Sequence, residues 1–246
     1  MGGSGGGSVD AAVPGSVDAA GPDGGPSAPG QIPPGPNKVV ILHDANAGGS
    51  ANDPSRRTMV EILNAMKDTH GIVVELMDSP TKGSDLMDKA LVIVGPNARM
   101  FGDNHPDPGL RTLPVPIIVS KDGNTTEIGL GRVGATDPPN FNRINLIKTD
   151  HPLAAGLPMG GVTVLTTPNR QRIITFTGLG PDAIKIATGP QSSDTFAIVA
   201  YEKGADMGNG LRAPAKRVGF FWHRPAGPTA DGRKLFEAAV DWAMRP

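Results

Sequence analysis

A strand–helix–strand unit opens the part of this chain that can build a core. Residues 39–42 read Val-Val-Ile-Leu, a purely apolar run typical of a strand that is buried on both faces of a parallel sheet. Asp53-Pro54 is an N-cap followed by a first-turn proline, apolar residues then recur at helical spacing, and Gly71 is placed to end the helix. A second apolar run follows at 72–76. This pattern predicts a β-α-β unit and therefore an α/β domain.

Later runs extend the same fold. Short apolar runs at 91–94, 115–119 and 217–222 predict further parallel strands, and apolar spacing at 230–244 predicts a closing helix. Several short strand-like runs between residues 140 and 201 predict an antiparallel, β-rich insertion at one edge. The expected architecture is α/β, with a mostly parallel central sheet.

The first 37 residues differ in composition from the rest. They are rich in Gly, Pro, Ser and Ala, and the sequence of Gly7–Ala12 recurs at Gly15–Ala20. Such a segment cannot bury enough apolar surface to offset its conformational entropy. We therefore expect residues 1–37 to be a disordered linker that is dispensable for folding, and residues 38–246 to be the domain.

The linker resembles the spacer that follows the lipid-modified cysteine of bacterial surface lipoproteins, although that cysteine is absent here. The resemblance implies a secreted or cell-surface protein of the periplasm or outer membrane, whose native precursor could carry a lipid anchor. The alternative is a cytoplasmic protein with a flexible tail, if Met1 is the native start.

Charge and cysteine content exclude several classes of function. The formal net charge is -1, and Asp10, Asp18 and Asp23 give the linker -3, so residues 38–246 carry -1 minus -3, or +2. Neither value favours binding to nucleic acid. The chain has no cysteine, which excludes disulfides, thiolate metal sites and a cysteine nucleophile. No apolar run approaches the roughly 20 residues that span a bilayer.

Polar residues and glycines follow three of the predicted parallel strands. In open α/β sheets ligands bind beyond the carboxyl ends of the strands, so these residues are the site candidates. The candidates for chemistry are His43, Asp44 and His223, and those for ligand binding are Asn46, Gly48, Gly49, Asn97 and Arg224. Two histidines and an aspartate could hold a metal. The pattern favours the alternative, in which such residues satisfy loop backbone groups, and we predict neither a metal nor another cofactor.

Two motif-like stretches are discounted. Residues 129–134 fit Gly-x-Gly-x-x-Gly, but the motif needs a helix to begin from it, and Pro138-Pro139 follows instead. Asp103, His105 and Asp107 alternate like calcium ligands but break the calcium-loop pattern, and the stretch 95–109 is rich in glycine and proline. Both stretches are predicted to be loops, with no helix at 95–109.

Four phrases carry a resemblance to a known family. They are His-Pro-Leu-Ala-Ala-Gly-Leu at 151–157, Ala-Tyr-Glu-Lys-Gly at 200–204, Ala-Lys-Arg-Val-Gly-Phe-Phe at 215–221, and the closing stretch 229–242. With the order of elements, they resemble the flavodoxin-like core of class I glutamine amidotransferases and of the related trehalose-utilisation (ThuA-like) proteins. The likeness covers Lys38 to the end and is greatest to a degenerate, noncatalytic variant of secreted bacterial proteins. It implies a flavodoxin-like three-layer domain.

The same resemblance implies a catalytic cysteine on a sharp turn after the proline-flanked strand, where this chain has Ser120. Ser120 lacks the Gly-x-Ser-x-Gly setting of a nucleophile elbow. His223 matches the family's late-strand histidine, but the glutamate that follows it in the family is missing. A base without its nucleophile does not make a triad, so we expect no amidotransferase activity.

These observations favour a noncatalytic domain over an enzyme. We expect a ligand- or partner-binding domain displayed at the bacterial cell surface on a flexible tail, with a small molecule, a carbohydrate or a protein as the partner. The alternative is a ThuA-like hydrolase or sugar-processing enzyme that uses His43, Asp44 and His223.

Overall fold

The computed structural model describes residues 1–3, 37–44, 53–79, 82–96, 98, 109–121, 125–133, 141–166, 173–190, 192–222 and 227–246. These residues form eleven strands and four helices. The linker prediction concerns residues that lie mostly outside the described ranges.

The first half of the chain supplies four strands and three helices. They are β1 (Asn37–His43), α1 (Pro54–Ala65), α2 (Lys67–His70), β2 (Ile72–Asp78), β3 (Leu91–Val94), β4 (Ile117–Val119) and α3 (Thr125–Ile128). The second half supplies β5 (Arg132–Val133), β6 (Arg143–Leu146), β7 (Gly160–Thr163), β8 (Phe176–Thr177), β9 (Ile184–Thr188), β10 (Phe196–Tyr201), β11 (Arg217–Phe220) and α4 (Ala230–Met244).

One sheet contains all of these strands, in the order β2-β1-β3-β4-β11-β10-β9-β6-β7, and β8 pairs with both β10 and β5. The five strands from β2 to β11 are mutually parallel, whereas every pair beyond β11 is antiparallel. The expected antiparallel extension at one edge is therefore present. The sheet as a whole is mixed rather than mostly parallel, because the extension contributes at least as many strands as the parallel half.

Strand β1 begins two residues earlier than the run 39–42 that the sequence pattern predicted. Asn37 is already part of β1, and its backbone N–H donates to the carbonyl oxygen of Gly71 at 2.8 Å. The strands β5 and β8 were not expected from the sequence. Each has only two residues, which is too short for a period-2 pattern to be recognised.

Helices α1 and α4 pack on the same face of the sheet. Met59, Ile62 and Leu63 of α1 join Phe236 of α4 in one buried apolar cluster with alternate residues of the parallel strands. The opposite face is covered by loops and short helical segments, among them residues 109–115. The described chain thus has one layer of long helices, and the second helical layer of a flavodoxin-like fold is not seen in it.

Local signals in the sequence account for the ends of the first helix. The side chain of Asp53 accepts a hydrogen bond from the backbone N–H of Ser55 at 2.9 Å, with Pro54 in the first turn. The predicted helix at 54–69 is present but is interrupted at Met66, and α2 begins at the next residue, Lys67. Gly71 adopts φ 61°, the left-handed conformation that ends a helix and that glycine tolerates best.

The C-terminal helix is fixed at both ends. The hydroxyl of Thr229 accepts from the backbone N–H of Gly232 at 3.0 Å and donates to the carbonyl oxygen of Thr163 at 2.7 Å. At the other end, the ammonium of Lys216 donates to the carbonyl oxygens of Trp242 and Arg245 at 3.1 and 3.0 Å. A cation at this position also offsets the negative end of the helix dipole.

Arg217 is a fully buried cation at the centre of the sheet. Its guanidinium donates to backbone carbonyl oxygens, and the shortest of these hydrogen bonds are to Leu113 at 2.6 Å and to Val115 at 2.9 Å. Burial lowers the pKa of Arg217 from 12.5 to about 10, since the charged form is disfavoured away from water. These bonds join β11 to the segment that leads into β4.

His151 begins the first of the family-like phrases and has a structural role. Its Nδ1 accepts a hydrogen bond from the backbone N–H of Leu153 at 3.2 Å, which caps the 3₁₀ turn Pro152–Ala154. Its ring also lies against Trp242 of α4, with 5.6 Å between ring centroids. Burial lowers the pKa of His151 below its ordinary value of 6.5, and the charge of Lys148 lowers it further.

We predict that Arg217→Lys lowers the free energy of unfolding by about 3 kcal/mol, because an ammonium cannot reach the carbonyl groups that the planar guanidinium bonds simultaneously. Chemical denaturation measures the change. The matched control is Arg57→Lys on the exposed side of α1, which should stay within about 0.5 kcal/mol of the wild type. Equal stability of the two variants would contradict a structural role for the buried guanidinium.

We also predict that the free energy of unfolding decreases as the pH falls below 6.5, partly through His151. Because the folded state lowers the pKa of this histidine, the unfolded chain binds more protons in the window just below 6.5. His151→Asn keeps a capping oxygen but does not titrate, so its stability should depend less on pH than that of the wild type. Denaturation at a series of pH values makes the comparison, and identical slopes would show that His151 does not contribute.

Candidate functional site

The carboxyl ends of β1 and β3 lie side by side, as their parallel pairing requires. The backbone N–H of Gly95, directly after β3, donates to the carbonyl oxygen of Leu42 at 3.1 Å. A Cβ atom at position 95 would come within 2.8 Å of that oxygen, so only glycine fits there without a shift of the backbone. This close approach brings Gly95 and Pro96 against His43 and Asp44.

A small cavity lies at this edge. It is lined by the last residues of β1, by Asp53 and Arg56 at the start of α1, and by Gly95 and Pro96. Its volume is about 10 Å³, which is room for about one water molecule. A ligand larger than water does not fit inside this cavity, so one that binds at this edge would lie over its opening.

His43 lies between a carboxylate and a guanidinium. Its Nδ1 is 3.4 Å from Oδ1 of Asp78, the last residue of β2, and 3.4 Å from Nη1 of Arg56. One ring nitrogen cannot do both: it accepts from Arg56 when it has no proton and donates to Asp78 when it has one. The 16% exposure of the His43 side chain leaves it accessible from solvent. The hydrogen-bond partner of Nδ1 thus depends on the tautomer of His43.

The remaining described candidate is Asp44, which is 2% exposed and lines the same cavity. The structure therefore brings His43 and Asp44 to one place. Six of the predicted site residues lie outside the described residues, so their positions are not assigned: Asn46, Gly48, Gly49, Asn97, His223 and Arg224.

Arg56 is a site residue that the sequence reasoning missed. It lies in the first turn of α1, half-buried, and its guanidinium lines the cavity beside His43. The signal was available, because a helix that follows a parallel strand begins at the carboxyl edge of the sheet, so its first turn faces the same crevice. Asp78 was missed for a similar reason, since it ends β2 at the same edge.

Ser120 occupies the place of the nucleophile that the family resemblance implies, directly after β4. It is fully buried, its backbone N–H donates to the carbonyl oxygen of Val94 at 3.0 Å, and its hydroxyl donates to the carbonyl oxygen of Trp222. A hydroxyl that is closed off from solvent and committed to a backbone acceptor does not attack a substrate. Ser120 therefore joins the ends of β4 and β11.

Within the described part of the Gly-x-Gly-x-x-Gly stretch, residues 129–131 form a turn, as predicted, whereas Arg132 and Val133 form β5 instead of the predicted loop. Helix α3 precedes Gly129 and strand β5 follows Gly131, which is the reverse of the strand-then-helix order that a phosphate-binding motif needs. Both glycines have positive φ, of 86° and 84°. The stretch that resembled a calcium loop lies outside the described residues.

Two absences can be stated for the described part of the chain. No three side chains of the metal-binding types are placed there to hold an ion together. None of its helices combines the length and the apolar character needed to cross a membrane.

Comparisons with known proteins support the fold alone. No family model and no curated protein matches the sequence. Among solved structures, a ThuA-like protein from Bacteroides uniformis is 12% identical with a TM-score of 0.56, and the match covers 91% of this chain and 95% of that one. The N-terminal domain of mmIFT52 is 10% identical with a TM-score of 0.54, covering 84% and 97%. These likenesses support a sheet-rich α/β fold related to that of a ThuA-like protein.

A GMP synthase protein from Thermoplasma acidophilum is also similar, with 16% identity, a TM-score of 0.49 and coverage of 83% of this chain and 92% of that one. This score is too low to carry an argument about the fold.

We predict that Ser120→Ala lowers the free energy of unfolding by about 1–2 kcal/mol, because it leaves the buried carbonyl group of Trp222 without its donor. Ser84→Ala is the matched control, since Ser84 is exposed, and it should change stability by less than about 0.5 kcal/mol. Thermal and chemical denaturation measure both changes. A Ser120→Ala variant of unchanged stability that loses an acyl-transfer activity would instead identify Ser120 as a nucleophile.

Proposed function

We propose that this chain is a noncatalytic binding domain whose ligand site is the carboxyl edge of β1 and β3. The observation that carries the proposal is the state of Ser120, whose buried hydroxyl is bonded to the carbonyl oxygen of Trp222. With no cysteine in the chain, the position of the family's nucleophile offers no reactive group. In this proposal the domain is a degenerate ThuA-like relative, and among the described residues no long helix covers the second face of its sheet.

The groups at this edge favour a polar ligand. The guanidinium of Arg56 has no ion pair among the described residues, and its single hydrogen-bond contact there is the 3.4 Å approach to His43. Most of its five N–H donors therefore have no acceptor among the described residues. Asp44 and Asp78 add acceptors. Donors and acceptors side by side suit a small molecule, a carbohydrate or a polar protein segment that offers both, and they do not suit a nucleic-acid backbone.

The composition of residues 1–37 supports the remaining part of the proposal, namely display at a bacterial cell surface on a flexible tail, with a lipid anchor in the native precursor. Fractionation of the source cells tests this part separately. Recovery of the protein in the envelope or the medium agrees with it, and recovery in the cytoplasm contradicts it.

One observation favours the enzyme alternative. The 3.4 Å contact between His43 and Asp78 resembles the pairing in which a carboxylate orients a histidine that acts as a general base. A ThuA-like hydrolase or sugar-processing enzyme could use such a pair with Asp44 and His223. Turnover of any ligand, followed by NMR and abolished in His43→Gln, would decide for this alternative.

We predict that ligands of this edge bind through Arg56. A thermal-shift screen of the full chain with neutral sugars, uronic acids and amino acids selects compounds, and calorimetry then measures their dissociation constants. Arg56→Gln should weaken binding by about tenfold or more, since a charged hydrogen bond contributes about 1.5–3 kcal/mol.

The control is Arg57→Gln, one residue further along α1 and exposed, which should bind as the wild type does. Both variants should keep the wild-type melting temperature within a few degrees, roughly as expected for surface changes. Equal loss of affinity in the two variants, or no loss in either, would show that the ligand binds elsewhere and would contradict the proposal.

A further inference from the structure

Strand β2 ends the parallel half of the sheet and pairs only with β1 among the described residues. It is seven residues long, Ile72–Asp78, and its register with β1 is regular at all seven positions. It contains no proline, glycine or lysine. Over Ile72–Met77, the backbone groups that point away from β1 have no partner strand among the described residues, and proteins usually protect such an edge by proline, lysine, bulges or a short strand.

The side chains of β2 are unusually apolar for an edge. Val73 is 43% exposed and Leu76 is 47% exposed, and within the described chain no other strand carries a large exposed hydrophobic side chain. Val74 and Met77 of the same strand are partly buried against the two cores. Burying the exposed pair in an interface removes apolar surface from water, which favours association.

The charge in the middle of β2 is neutralised within the chain. The carboxylate of Glu75 lies 2.9 Å from the ammonium of Lys89, which is itself largely buried. The hydrogen bonds to Glu75 and to Asp88 raise the pKa of Lys89, so this ammonium stays charged in ordinary buffers. The single charged side chain of the stretch Ile72–Met77 thus has a counter-ion within its own chain, so it can lie opposite an apolar side chain of another strand.

The opposite edge of the sheet differs. Strand β7 has only four residues, and it begins with Gly160 and Gly161. A short strand that begins with glycines is a poor template for pairing. The β2 edge of the sheet is therefore suited to pair with another strand, whereas the β7 edge is not.

We propose that two copies of this chain associate through β2, pairing antiparallel about a two-fold axis at Val74. In an antiparallel pair, residues directly opposite each other lie on the same face of the sheet, so a symmetric pairing places a single residue on the axis. With Val74 on the axis, Ile72 faces Leu76 of the second copy and Val73 faces Glu75. With Glu75 on the axis, two carboxylates would lie directly opposite each other, which is destabilising. The Val74 register joins the two sheets into one.

The first test measures the association of the full chain. Sedimentation equilibrium over a range of concentrations should give a dimer for the wild type. Leu76→Lys should raise the dimer dissociation constant by about tenfold or more, because symmetry introduces two lysines opposite apolar side chains. Thr163→Lys places the same residue at an exposed position of β7 and should dimerise as the wild type does.

The second test uses the absence of cysteine to read the register. Val74→Cys places one thiol of each copy on the proposed axis, where Cβ atoms of opposite residues lie about 4.5–5.5 Å apart. Mild oxidation should convert most of this variant to a disulfide-linked dimer on a non-reducing gel. Leu76→Cys and Thr163→Cys should give little, since neither position faces itself across the axis.

The remaining outcomes overturn the proposal. A wild-type chain that stays monomeric up to its solubility limit has no such interface. A dimer that Leu76→Lys leaves intact, or that cross-links best through Thr163→Cys, uses another surface. Resistance to hydrogen exchange in a monomer, at those backbone amides of β2 that point away from β1, would show that another part of the same chain covers this edge.

Discussion

Arg217 connects the two halves of this molecule. It lies on β11, the strand at which the sheet changes from parallel to antiparallel, and its guanidinium bonds the carbonyl groups of the segment that leads into β4. A buried cation without a carboxylate is costly unless its donors are satisfied, so this segment must keep its conformation for β11 to stay in place. The loops of the helix-poor face are thereby tied to the centre of the sheet. The position of Ser120, at the far end of β4, depends on the same alignment.

The parts of the fold that follow from local rules were predictable. The strands of the parallel half, the helix ends at Asp53 and Gly71, and the antiparallel insertion all agree with the sequence pattern, because burial and backbone conformation dictate these residue types locally. The proportion of parallel and antiparallel strands in the sheet was not predictable. Whether β10 joins β11 antiparallel, and which face a helix covers, depend on contacts between segments far apart in sequence. Arg217 illustrates the difficulty, since no local pattern indicates that a charged residue will be the one fully buried arginine among the described residues.

The residues of the candidate site were likewise only partly predictable from local sequence patterns. Strand ends correctly indicated that His43 and Asp44 lie beside the turn after β3, because parallel neighbours bring their carboxyl ends together. Arg56 and Asp78 were missed because attention to loops alone omits the first turn of a helix and the last residue of a neighbouring strand. The sequence indicated that Ser120 lacks the setting of a nucleophile, but not that its hydroxyl would bond the carbonyl oxygen of Trp222 and so join the ends of two strands. What this edge can bind therefore depends on which of its side chains a ligand can contact.

The pairing of β4 with β11 also bears on how the chain folds. Ile117 and Arg217 are partners in the sheet although 100 residues separate them, as 217 minus 117 shows. The antiparallel insertion lies between them and is built from strands that are closer in sequence, so it can form while the parallel half still lacks β11. During synthesis one edge of β4 lacks its partner strand until residue 220, the last residue of β11, has left the ribosome. Unpaired strand edges favour aggregation, and the pairing of β11 with β4 removes this one.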